Sequence, residues 1–308
     1  MVLGPGDDAA AVRIGDATAL ATADILLEGV HFEIGLSTPA DVGWKAMAVN
    51  VSDIAAMGGV PRFALVSLGA PATTAIRTLT RIYEGLDECA RACGVAVVGG
   101  DTVRADGLIV SVAAIGEPGD AGIVTRGGAR PGDLICVTGS VGGAAAGLAL
   151  LHAAWNDERA ALLLERYPKL AALHRRPTPR VREGLAAARA GATAMIDISD
   201  GLGVDLGHIC KASKAGHSME LEQIPIADGV EATEAWAGVA PGSFVLSGGD
   251  DYELIIAIPP NRLDELHRAL APTPVTRIGE FTDGDVPLQG VVDRSLDPKG
   301  WDHFEEQA

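Results

Sequence analysis

Residues 43–61 read GWKAMAVNVSDIAAMGGVP, and the apolar residues in that stretch recur on a helical period. Trp44, Met47, Ala48, Val51, Ile54 and Ala55 fall in one stripe, so the spacing predicts a helix from Gly43 to Met57 that buries this face. Gly58, Gly59 and Pro61 end it. Asn50 and Asp53 fall on the other side, three residues apart, where both can address one ligand. Around this helix, short runs rich in valine and alanine alternate with longer helical patterns, which points to an α/β or α+β architecture rather than a bundle or a sandwich. Strands are expected over 18–23, 62–68, 95–98, 108–116, 133–138, 194–198, 244–247 and 253–258.

At 308 residues the chain exceeds one ordinary core and suits two domains. Glycine, proline and charge concentrate in EPGDAGIVTRGGARPG, residues 117–132, between two strand-like runs. The boundary is placed there, giving domains 1–120 and 121–308. A second punctuated stretch, RRPTPR at 175–180, is read as the entry to a helix, because the alanine-rich residues after it are helical in pattern.

The 41 acidic residues outnumber 24 basic ones, for a formal charge of −17. That balance excludes a broad nucleic-acid face, which needs clustered lysine and arginine. It serves either solubility or the gathering of cations. The N-terminus lacks a basic segment followed by an apolar run, and nothing approaches a membrane span, so a cytoplasmic protein is expected. Cys89, Cys93, Cys136 and Cys210 read as buried thiols, having neither CxxC spacing nor a second cluster.

Chemistry is suggested by aspartates that recur beside glycine at the ends of apolar runs. They are Asp7 and Asp8 in GDDAA, Asp24 in ADILLEGVHF, Asp101 in GGDT, Asp197 and Asp200 in DISDGL, and Asp250 and Asp251 in GGDDYEL, with Asp53 added from the helix. Any one of them could simply cap a turn. As a set meeting in one place, carboxylates about 4 Å apart repel by around 4 kcal/mol per pair at an effective dielectric of 20, so convergence calls for a cation. Hard oxygen ligands suit Mg²⁺ shared with phosphate. No GxxxxGK[ST] loop and no protein-kinase signature occurs, so the common nucleotide folds are disfavoured. In LICVTGSVGGAAAGLAL, residues 134–150, the glycine turn before a helix suits either a phosphate or tight packing.

In order along the chain, GDDAA, DILLEGVHF, KAMAVNVSDIAAMGG, GGDT, TRGGARPGD, DISDGL, GGDDYEL and the terminal GWDHF resemble the motifs of the thiamine-monophosphate kinases. These belong to the group that includes aminoimidazole ribonucleotide synthetase and selenophosphate synthetase. The resemblance implies the two-domain synthetase-like fold, with an N-terminal sheet pairing across a homodimer and a C-terminal α/β domain. It implies ATP-dependent phosphorylation of thiamine monophosphate to the diphosphate, with several Mg²⁺ ions and no acid or base catalyst. Asp8, Thr22, Ala23, Asp24, Asp53, Asp101, Asp197 and Asp200 are then expected around metal, and Tyr83, Gly100, Asp101, Arg126 and Ser199 around ATP. His31, Asp250 and Trp301 are expected around the acceptor. From the residues alone, His31, Arg126 and Trp301 suit ordinary structural roles. The family pattern has glutamate where this chain has Asp250. The alternatives are another ATP-dependent member of the group, or a non-catalytic nucleotide- or metal-binding protein on the same scaffold. A selenide enzyme is disfavoured because the first cysteine is Cys89, and a maturation protein with a reactive terminal cysteine because the chain ends FEEQA.

Overall fold

The computed structural model describes residues 1–219 and 221–284. In chain order the elements are β1 (Ala10–Ile14), β2 (Ala17–Leu27), α1 (Pro39–Ala56), β3 (Gly59–Ala70), α2 (Ile76–Cys93), β4 (Ala96–Arg104), β5 (Ile109–Pro118), β6 (Leu134–Thr138), α3 (Gly143–Ala153), α4 (Glu158–Arg166), α5 (Pro168–Arg175), α6 (Val181–Ala190), β7 (Ala194–Asp197), α7 (Leu202–Ser213), β8 (Gly216–Met219), α8 (Val230–Ala237), α9 (Ser243–Leu246), β9 (Leu254–Ile258), α10 (Leu263–Leu270) and β10 (Val275–Thr282). They form two compact units. The first comprises Met1–Thr125 and Arg175–Arg189, and the second Arg126–His174 with the chain from Ala190 onward.

In the first unit the sheet order is β1-β2-β5-β3-β4, antiparallel throughout except for the β3–β4 pair. Helix α1 starts early, at Pro39, because Thr38 and Asp41 close a reciprocal capping box around the first turn. Most of its residues are buried, on every side of the helix, so the expected single stripe understates how deeply it sits. Helix α2 lies against it through Ile82, Gly85, Leu86, Cys89 and Ala90, a run of three- and four-residue steps. The two backbones touch: a Cβ on Gly43 would stand 1.9 Å from the Ile82 carbonyl oxygen, and one on Gly85 would stand 1.8 Å from that of Ala40. Only glycine allows that approach.

Residues 175–189 return to this unit for electrostatic and packing reasons. Arg176 donates to Asp41 (2.5 Å) and Glu88 (2.8 Å) while its guanidinium covers the Trp44 ring, whose Nε1–H bonds the Pro177 carbonyl. Gly184 then lets α6 approach the Ala55 carbonyl at the end of α1. The first unit thus runs to residue 125, where the expected division fell at 120, and takes in residues 175–189 as well, an excursion opened by the RRPTPR stretch.

In the second unit the order is β7-β9-β6-β10-β8, with every neighbouring pair antiparallel. Strands β6, β7 and β9 are buried at every residue, which explains their continuous apolar sequences. The expected strand at 244–247 is instead the single helical turn α9. Phe244 N–H bonds the Glu234 carboxylate, and the neighbours Val245 and Leu246 are both buried, so the run never alternates. Strand β4 extends through GGDTVR to Arg104, so Asp101 lies within a strand rather than at its end, as does Asp24 within β2. Strands β1, β8 and β10, absent from the sequence reading, supply edge or late pairings.

Candidate functional site

The first unit brings Asp8 and Asp53 together. Asp53 projects from the last turns of α1, and its Oδ2 accepts the Thr22 hydroxyl of β2 at 2.5 Å. Buried Asp8 precedes β1, and one of its oxygens lies within 4.8 Å of an Asp53 oxygen. Two carboxylates at that spacing repel by roughly 3–4 kcal/mol at an effective dielectric of 20, a cost a divalent cation removes. Asp24 is tied to the same helix by its backbone: its N–H donates to Asn50 Oδ1 at 3.0 Å, and Asn50 in turn donates to the Ala46 carbonyl. Asn50 thus anchors β2 to α1 and is committed to that structural role. Asp101 stands three strand spacings from β2, about 14 Å, in the row that pairs it with Ser67. It is exposed, and its Oδ1 accepts the Thr102 N–H. Gly100, at φ 144°, holds β4 against β3, since a Cβ there would stand 1.7 Å from the Val66 carbonyl oxygen. Tyr83 is exposed on α2. His31 Nδ1 accepts the Leu27 N–H at 3.1 Å, closing the turn after β2 and leaving Nε2 as the N–H of the neutral ring. Ala23 is exposed on β2, between Thr22 and Asp24.

In the second unit Asp197 ends β7 and is only 2% exposed. The loop after it, Ser199–Asp200–Gly201, is gathered by a residue the sequence reading passed over. Asp205 Oδ2 accepts the N–H of Ser199, Asp200 and Gly201 at 3.0, 3.0 and 3.1 Å. Asp205, Asp200 and His208 each bring a ligand-type atom within 4.8 Å of the others. With one Asp205 oxygen already holding three N–H groups, Asp200 is the better placed of the two acids to face a ligand. Partial burial holds His208 below its usual pKa, helped by the Arg126 guanidinium and opposed by the Asp200 carboxylate, so these three side chains share one neighbourhood. Arg126 is itself held in place by Ser213, whose hydroxyl donates to the Arg126 carbonyl and accepts from Gly128 and Ala129 N–H. The loop leading into β9 lies alongside: Asp250 N–H bonds the Ser199 carbonyl at 2.9 Å. Asp200, Ser199, Arg126 and Asp250 are therefore neighbours. Trp301 lies outside the described residues.

The glycine turn before α3 is filled from within the chain. Asp251 accepts the N–H of Gly142 at 2.6 Å and of Ala144 at 3.2 Å, taking donors a phosphate would use. Burial pushes the Asp251 carboxyl up to about 7, against the pull of those two N–H groups and with Glu253 and Asp250 adding to the rise. The folded chain therefore holds a proton here that the unfolded chain has released above its pKa near 4. Its contribution to stability is complete below about pH 4 and is lost as pH rises from there through 7. Denaturant titrations between pH 5 and 8 should show stability falling by a few kcal/mol from this group, at about 1.4 kcal/mol for each pH step of one between the two pKa values. Asp251→Asn should flatten that slope; an unchanged slope would assign it to other groups.

The donors gathered in the first unit are carboxylate and hydroxyl oxygens, the set that suits Mg²⁺ and disfavours soft metals, and the second unit adds the His208 ring to its carboxylates. A model of the AIR synthase related protein N-terminal domain matches residues 6–117, and one of the C-terminal domain matches residues 130–288. The chain is 37% identical over 313 residues to the thiamine-monophosphate kinase of Mycobacterium tuberculosis, a match covering 99% of this chain and 87% of the relative. With that of Bacillus subtilis it is 36% identical over 311 residues, covering 95% and 93%. A solved structure of AaThiL complexed with AMPPCP and TMP matches with a TM-score of 0.82 at 33% identity, over 97% of this chain and 91% of that one. With relatives this similar over nearly its whole length, the chain belongs to the thiamine-monophosphate kinase family, within the AIR synthase related proteins.

Proposed function

We propose that this protein transfers the γ-phosphoryl group of ATP to thiamine monophosphate, giving ADP and thiamine diphosphate. The observation that carries the reading is the near-full-length likeness to thiamine-monophosphate kinases, joined by the closeness of the motif carboxylates Asp8 and Asp53 in the first unit and by Asp200 standing beside Asp205 and His208 in the second. AaThiL, a relative of known structure, is complexed with AMPPCP and TMP.

The acceptor is a phosphate monoester whose second pKa near 6 leaves its oxygen deprotonated at neutral pH, so no general base is needed. The barrier lies in bringing two polyanions into line. Asp8, Asp53 and Thr22 in the first unit, with Asp24 and Asp101, and Asp197 and Asp200 in the second, are the residues that would hold Mg²⁺. When bound, the ions would neutralise the phosphate oxygens and orient them. Arg126, whose backbone carbonyl is bonded by the Ser213 hydroxyl, supplies a forked cation for a phosphate, and Ser199 sits on the same loop as Asp200. Gly100 and Tyr83 complete the proposed ATP contacts. Asp250 and His31, with Trp301, are the proposed acceptor contacts: a carboxylate suits the cationic thiazolium and the aminopyrimidine N–H groups.

The proposal includes a homodimer, which the first sheet supports. On the face away from α1, Ile25, Phe63 and Leu65 are exposed, and the edge strand β4 is exposed on both of its faces, with Val98 at 56%. An apolar sheet face of that extent suits an isologous partner. A cytoplasmic location is also proposed; no described helix is long and apolar enough to cross a membrane.

Incubating the protein with ATP, Mg²⁺ and thiamine monophosphate should yield thiamine diphosphate and ADP in equal amounts, read by chromatography. Product from another acceptor alone would favour a different enzyme of the group. ATP binding without product would favour a sensor. Sedimentation should give a mass near twice 31.5 kDa; a monomer at micromolar concentration would remove the argument from the sheet face.

A further inference from the structure

Among the described residues three non-glycine backbones adopt positive φ, and two of them, Asp250 (70°) and Tyr252 (52°), stand two apart in one loop. Aspartate tolerates the left-handed region, but a bulky aromatic there is an outlier costing of order 1–2 kcal/mol. The conformation persists because the backbone is pinned on both sides, Asp250 N–H to the Ser199 carbonyl at 2.9 Å and Tyr252 N–H to the Ile198 carbonyl at 2.8 Å.

The strained geometry produces a side-chain contact. The Tyr252 hydroxyl donates to Asp250 Oδ1 at 3.1 Å, from a residue that is 8% exposed. Buried His174 stands toward the other oxygen, its Nδ1 3.9 Å from Asp250 Oδ2. Both oxygens of a half-exposed carboxylate are thus flanked by side chains withdrawn from water. An aspartate also has one torsion fewer than glutamate, so two flanking groups go far toward fixing it.

We infer that Tyr252, with His174, is a positioning residue that aims the Asp250 carboxylate at the cationic, N–H-bearing heterocycles of the phosphate acceptor. The inference rests on the reading of Asp250 as an acceptor contact. A carboxylate fixed in advance loses little freedom on binding, so its orientation sets acceptor affinity while leaving the transfer step alone.

The test uses the full chain with ATP, Mg²⁺ and thiamine monophosphate. Tyr252→Phe keeps the buried ring and removes only the hydroxyl. It should raise KM for thiamine monophosphate five- to tenfold while kcat, KM for ATP and the melting temperature stay near wild type, the size expected for one ordinary hydrogen bond at a partly exposed carboxylate. His174→Gln should raise the same KM by a smaller factor. In an Asp250→Asn background, which has its own raised acceptor KM, adding Tyr252→Phe should change KM less than twofold, because the hydroxyl acts through the carboxylate. An unchanged acceptor KM in Tyr252→Phe, an equal rise in both backgrounds, or a fall in kcat that tracks a fall in melting temperature would each overturn the positioning role. If instead Asp250→Asn leaves acceptor KM at the wild-type value, the reading of Asp250 itself fails.

Discussion

Asp53→Asn lowers phosphoryl transfer by about a thousandfold and leaves the melting temperature unchanged or raised. The activity loss follows from what the carboxylate is for. Asp53 shares a 4.8 Å neighbourhood with Asp8 and accepts the Thr22 hydroxyl, so an amide there halves the local negative charge while keeping nearly the same shape. A loss of about 4 kcal/mol of transition-state stabilisation corresponds to a factor near 10³. The stability effect runs the other way. In the absence of metal the Asp8–Asp53 pair repels by a few kcal/mol at most, reduced by water around the half-exposed Asp53, and the amide removes that term. Asn can still accept from Thr22. Steady-state rates and thermal melts in chelator on the same preparation decide the matter. An Asn variant that melts well below wild type would make the carboxylate a structural residue. Asp24→Asn and Asp200→Asn should behave alike.

The contrast between this acid and others in the chain shows what sequence can and cannot reveal. Asp53 was visible because it falls opposite the apolar stripe of the helix, three residues from Asn50, where the two could address one ligand. Asn50, equally conspicuous, turned out to be engaged with the Asp24 N–H and the Ala46 carbonyl, a use of an amide that composition does not signal. Most strands were legible as apolar runs, with ends misplaced where glycine reads as a terminator. In β4 the Gly99–Gly100 pair does not end the strand; it lets the strand lie where a Cβ at Gly100 would strike the Val66 carbonyl. The run at 244–247 was too short for its period to separate strand from helix. Strands β1, β8 and β10 are interrupted by charged or polar residues, such as Arg13, His217 and Arg277, and give little apolar signal. The return of 175–189 to the first unit rests on Arg176 meeting Asp41 and Glu88, partners 135 and 88 positions away in sequence. No local pattern announces such a pairing.

Asp205 presents the sharpest case, because its role is carried by backbone groups that the sequence does not display. It lies in the first turn of α7, where an acid is favoured by the helix dipole, and that position was the one available clue. From there it reaches back to three consecutive N–H groups that would otherwise be orphaned at the helix entrance. It is 2% exposed, so water cannot take over those bonds without the loop opening. Asp205→Ala should therefore cost about 3 kcal/mol of stability, the sum being less than three full charged bonds because a loosened loop regains some water. It should also cut phosphoryl transfer by ten- to a hundredfold, the usual penalty when the support behind a ligand residue is removed. Asp205→Asn keeps an acceptor oxygen for the N–H groups and should lose only about 1 kcal/mol, with activity between wild type and the alanine variant. Denaturant titration and initial rates at saturating Mg²⁺ on all three proteins measure both effects. Should the alanine variant prove as stable and as active as wild type, the Ser199–Asp200–Gly201 loop keeps its shape without this carboxylate, and its order must come from the Asp250 backbone alongside it.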